Sequence, residues 1–122
     1  LSAMRKHSAN ADVAHRGCGA LWSLAWNNAD IKVALVSAGA GEVVLSALRE
    51  HSANANVAEE GCGVLWSLAW NNADIKVALV SAGAGEVVLS AMRRHSADAN
   101  VAEEGCGVLW SLAWNNADIK VA

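Results

Sequence analysis

The stretch CGVLWSLAWNNADIK stands at residues 62–76 and again, letter for letter, at 106–120, and CGALWSLAWNNADIK at 18–32 differs from it by one side chain. Working outward from it, the chain overlays itself at an offset of 44: His7 on His51 and His95, Cys18 on Cys62 and Cys106, Trp22 on Trp66 and Trp110. Residues 21–47 and 65–91 are identical. A fixed period between 20 and 50 residues marks stacked supersecondary units rather than a closed globule.

Each unit punctuates itself into three helices. Gly83 with Gly85 forms one break, and the polar run at 52–56 forms another. Between them apolar residues recur at spacings of three and four: Ile75, Ala78, Leu79 and Ala82; then Val87, Val88, Ala91 and Met92; then Val57, Gly61, Leu65, Leu68 and Ala69. Asn10, Asn54 and Asp98 stand where N-caps of the third helix belong, with Glu59 and Glu60 near its positive end. Gly39 and Gly83 suit the left-handed turn that ends the first helix. One such unit cannot hide its apolar face, so stability has to come from stacking. The expected fold is an all-α solenoid of about three repeats cut out of phase, with units at 1–28 (partial), 29–72, 73–116 and 117–122.

Composition narrows the function. The 122 residues are 54% hydrophobic with a net charge of −3, and no Lys/Arg cluster or strong positive field is present to attract a phosphate backbone. Nucleic acid is not an expected partner. The wholly apolar runs, such as VALV at 77–80, are far short of the ~20 residues of a membrane span, so no membrane role is expected. All aromatic area lies in six tryptophans.

Two stretches resemble armadillo repeats, the three-helix units of catenins and nuclear-import adaptors. SAGAGEVVLSAL at 37–48 is similar to that family's link between first and second helices, and SANANVAEEGCGVLWSLA at 52–69 to its third helix. The resemblance spans the whole chain. It implies a right-handed superhelix whose third helices line a concave groove, a non-enzymatic scaffold, and an extended peptide held in that groove. The carry-over shows departures. Gly19, Gly63 and Gly107 stand where the family's best-known members place a groove Trp, and Ser23, Ser67 and Ser111 where they place the Asn that pairs with a ligand backbone. A hydroxyl does not replace an amide that donates and accepts at once.

Trp66 and Trp70 share a helical face, as do Trp22 with Trp26 and Trp110 with Trp114. Two readings of this stripe stand side by side. In one, an indole of each repeat lies over the bare glycine of the next, a large-to-small fit that also accounts for Gly61 and Gly63, which cost roughly 1 kcal/mol each inside a helix. In the other, one indole of each pair stays open in the groove beside Ser23, Ser67 or Ser111. Glu59, Glu60, Glu103 and Glu104 would then meet a Lys- or Arg-rich partner segment, extended or helical, whose stems gain about 0.5–2 kcal/mol on each ring. Under that reading Trp66→Ala leaves the fold largely intact. His15 and Arg16 replace the paired glutamates in the first repeat.

Other constellations carry less. Packed helices lie about 8–10 Å apart, beyond the ~7 Å reach of a disulfide, so the cysteines are expected as buried thiols in an intracellular compartment, cytoplasmic or nuclear. His7, His51 and His95 fall at the ends of second helices, where a partial positive charge suits the dipole, and no ligand spacing suggests a metal or cofactor. Ser, His and Glu recur at translated positions, a row rather than a catalytic pocket, so no enzyme is expected. A structural reading stands beside the scaffold: near-identical units without polar caps could stack head to tail. Such repetition fits a recently duplicated natural gene or an engineered excision from a longer array.

Overall fold

In a computed structural model, residues 1–26 and 28–113 are described, and they form eight α-helices and no strand. These are α1 (Ser2–Lys6), α2 (Ala11–Ala25), α3 (Ala29–Ser37), α4 (Ala40–Glu50), α5 (Ala55–Ala69), α6 (Ala73–Ser81), α7 (Ala84–Arg94) and α8 (Ala99–Ala113). The order short, medium, long runs through α3–α4–α5 and again through α6–α7–α8.

Local chemistry sets the boundaries. The Asn10 and Asn54 side chains each accept from two backbone N–H groups of the following turn, and Asp98 does the same for Asn100 and Val101. Asn28 and Asn72 cap the short helices by accepting from Ile31 and Ile75. Gly39 and Gly83 take φ of 96° and 89°, a left-handed turn that costs glycine no steric penalty. It bends α3 against α4 by 69° and α6 against α7 by 71°. No single helix among the described residues is long and apolar enough to cross a membrane; only these bent pairs reach the length together.

The core lies between the long helices. On α5, Val57, Cys62, Val64, Leu65, Leu68 and Ala69 are wholly buried, because α2 packs on one side, α8 on the other, and α4 and α6 beneath. Helix α5 separates α2 from α8, and α4 packs on α7 in parallel with them. The result is an open row rather than a closed bundle.

Polar ties repeat along the row. Arg5 Nη2 donates to the Ala38 carbonyl at 2.7 Å, and Arg49 Nη2 to Ala82 at 3.1 Å. His51 Nε2 lies 2.7 Å from the Ser8 carbonyl and His95 Nε2 2.8 Å from that of Ser52. The histidines do sit at helix ends, but they also tie one repeat to the preceding one, a role that helix position alone does not reveal.

Candidate functional site

In the pairs Trp22/Trp26 and Trp66/Trp70 the two tryptophans have different jobs. The six-membered ring of Trp22, on α2, lies on the backbone of Gly63 in α5, and a Cβ at Gly63 would run into it. Trp66 repeats the contact on α8: a Cβ at Gly107 would sit 2.6 Å from its Cε3. Trp22 and Trp66 are thus half-buried and belong to the edge of the core. Their partners at the helix ends stay open, with Trp26 70% and Trp70 54% exposed. Trp110 on α8 is 61% exposed, and Trp114 lies outside the described residues.

Each open indole walls a cleft. Trp22 and Trp26 form one side of the first, of about 340 Å³; Gly63, Trp66, Ser67 and Trp70 of the adjacent repeat form the other, and Lys32 of α3 closes it. A second, of about 350 Å³, lies one repeat further on between Trp70, Asn71, Lys76, Trp110 and Ser111. Trp70 is shared. Towards the first repeat the row opens onto a shallower hollow lined by Gly19, Trp22, Ser23, Trp26 and Glu60.

The polar groups of the clefts are few. Ser67 and Ser111 are each 4% exposed, and neither Oγ has a hydrogen-bond partner among the described residues. Ser23, their counterpart in the first repeat, is exposed. Lys32 is 6% exposed, and its Nζ donates to the Trp70 carbonyl at 3.1 Å. That carbonyl closes the C-terminal end of α5, where the helix dipole favours a cation. Burial nonetheless lowers the Lys32 pKa, since the charged form gives up water.

Of the glutamates, Glu60 alone reaches the indoles. Its Oε1 lies 3.7 Å from His15 Nε2, so the divergent first repeat places an imidazole beside a carboxylate of the second. Glu59, Glu103 and Glu104 do not line the three clefts. They crowd together along the start of α5 and α8. Burial raises the Glu104 carboxyl, helped by Glu103, Glu59 and Glu60, and its Oε2 is buried without a partner. Burial also raises Glu59, with Glu60 and Asp98 adding to it and His15 opposing. The cysteines divide. Cys18 and Cys62 are buried free thiols pushed up to about 12, chiefly by burial and then by Glu60 and Glu104 respectively, whereas Cys106 is exposed, against expectation, because no described helix covers that side of α8.

The family model described as LRRK2 ARM repeat matches residues 1–116. The chain belongs to that armadillo family. No curated protein and no solved structure matches it. That family is of a non-catalytic, helical-repeat scaffold type and generally binds protein partners. Within that frame one observation agrees with the packing reading of the stripe and one corrects the groove reading. The indoles over Gly63 and Gly107 come from the preceding repeat, so a position that lacks its own Trp is filled from next door. Trp66 is a packing residue as well as a cleft wall, so its removal is not neutral for the fold. Lys32 is the site residue that motif reading passes over. Its only signal is recurrence, as Lys32, Lys76 and Lys120 in NNADIK, at a position that looks like an ordinary solvated lysine.

Proposed function

We propose that the tryptophan face of α2, α5 and α8 is a groove that holds a segment of a partner protein, and that the chain works by display rather than by catalysis. One observation carries this reading: the same cleft, with an exposed indole as wall and a buried serine without a partner, occurs twice at successive repeats. A side chain entering one cleft finds its equivalent one repeat further on. Interactions of this kind add along the row, as expected where each repeat contacts only its neighbours. Glu60 supports a Lys or Arg at the first-repeat end of the bound segment. The buried free thiols Cys18 and Cys62 fit an intracellular setting.

The test compares the chain with its Trp26→Ala and Trp70→Ala variants against a displayed random-peptide library. Retained helicity with lost enrichment supports the groove. Unchanged enrichment in both variants places binding elsewhere and sinks it.

A second reading has its own observation: α8 shows Trp110 and Cys106 to solvent, while their counterparts Trp66 and Cys62 are covered by the next long helix. A second copy could dock there in the same head-to-tail sense. Sedimentation at rising concentration distinguishes the two, since a constant monomer mass rules out self-assembly.

A further inference from the structure

The contacts that join one repeat to the next run in series, and each series has a member left over on either outer face of the described row. Trp22 of α2 lies on Gly63 of α5, and Trp66 of α5 on Gly107 of α8. The next indole in that series is Trp110, 61% exposed on α8, and the glycine that precedes the series is Gly19 on α2. A Cβ at Gly19 would meet only the Glu60 carboxylate among the described residues, at 3.6 Å, so the Gly19 backbone lies bare in the hollow it shares with Trp22, Ser23 and Trp26. One chain thus presents an indole on one face and a bare glycine on the opposite face. The histidine ties behave alike. His51 Nε2 lies against the Ser8 carbonyl and His95 Nε2 against that of Ser52, and the series continues with His7 at one side and Ser96 at the other, both exposed.

Charge separates the outer faces from the inner junctions. Between α5 and α8 carboxylates face each other: burial, then Glu103 and then Glu59 hold the Glu104 carboxyl above its ordinary value. The corresponding pair between α2 and α5 is His15 with Glu60, 3.7 Å apart. Continued beyond α8, the same series brings Glu103 to the position on α2 that carries Arg16 in place of the glutamate of the other repeats. Both side chains are exposed. Of these three junctions it alone joins a carboxylate to a guanidinium, which stays charged at any physiological pH.

We infer that the outer faces of α2 and α8 are the two halves of one head-to-tail interface whose occupant is a second copy of this chain. Trp110 packs on Gly19 of the next copy, Glu103 pairs with its Arg16, and its His7 reaches the Ser96 carbonyl. The interface continues the α2–α5 and α5–α8 packing already present within the chain, and it covers Cys106 as α8 covers Cys62. Because the contact is heterologous, every added copy presents the same two faces again, so growth proceeds to a filament or closes into a ring. A two-fold pairing of α8 with α8 would stop at two copies and give Arg16 no role. This inference rests on the self-association reading above and adds the residues that make the junction and fix its direction.

Light scattering of the full chain over a rising concentration series tests it, with maleimide labelling of Cys106 as a second readout. The expected mass climbs past that of a dimer while labelling slows, since Cys18 and Cys62 are buried and do not compete for the reagent. Arg16→Glu, which restores the residue of the other repeats, should weaken association about tenfold, as should Glu103→Arg, because each sets like charges face to face. Both substitutions in one chain should bring association back, and failure to recover overturns the Glu103–Arg16 pairing. Gly19→Leu should abolish association with circular dichroism unchanged, because its side chain enters the open hollow rather than the core. Growth that ignores Gly19→Leu and Arg16→Glu, or that stops at a dimer, overturns the junction while leaving self-association standing. A monomer mass at every concentration removes both.

Discussion

The indole of Trp22 rests on the bare backbone of Gly63, and 44 residues later Trp66 rests on Gly107 in the same way. This contact joins each long helix to the next and sets how closely they approach. It also spends Trp22 and Trp66 on packing, which leaves Trp26 and Trp70 for the surface.

Gly63→Ala should therefore destabilise although alanine is the better helix former. Helix propensity alone would favour alanine by roughly 1 kcal/mol, but the new methyl group meets a ring held by its own packing, and overpacking costs about 1–3 kcal/mol. Urea denaturation should show a lower midpoint. In a Trp22→Leu background the same substitution should become neutral or stabilising, and the double-mutant cycle reads the coupling.

Trp66→Ala and Trp70→Ala should separate stability from surface. Full burial of a tryptophan makes its truncation cost about 3–5 kcal/mol. For the half-buried Trp66 about 2 kcal/mol is expected, and for the exposed Trp70 less than about 0.5 kcal/mol. Thermal melts of the two variants check this, and equal losses would show that the pair shares one role.

Stability should fall as pH rises through the carboxylate range. Glu104 and Glu59 are raised above the ordinary 4.5 in the folded chain, so between the unfolded and folded values the native state holds more protons than the unfolded one. The slope of unfolding free energy with pH is then negative there, and the stabilising contribution present at acid pH is lost above the folded values. Glu104→Gln should flatten this part of a chemical-denaturation pH series. Lys32 acts at the other end. Its lowered pKa makes the native state bind fewer protons, so its penalty is relieved as pH rises towards the ordinary 10.5.

Asn54→Ala should cost about 1 kcal/mol, since it leaves the Asn56 and Val57 N–H groups without their shared acceptor at the start of the central helix. Asn54→Asp should keep most of the cap. Hydrogen exchange at the first turn of α5 reports it directly.

The sequence by itself determined the repeat, the three helices of each unit, the Asn and Asp caps and the left-handed glycines. All of these follow from interactions within a few residues of chain, which leave a local pattern. It also carried the large-to-small pairing of Trp with Gly as one of two readings. Only the tertiary structure decided between them, giving Trp22 and Trp66 to packing and Trp26 and Trp70 to the surface. Both members of a pair share one helical face, and their difference depends on how far along the helix the neighbouring repeat reaches. The same holds for Lys32, which is buried and whose Nζ donates to the Trp70 carbonyl, 38 residues away in the chain. Glu60 and Glu104 are likewise alike in sequence and unlike in surroundings, because a solenoid gives each repeat a different neighbour on either side.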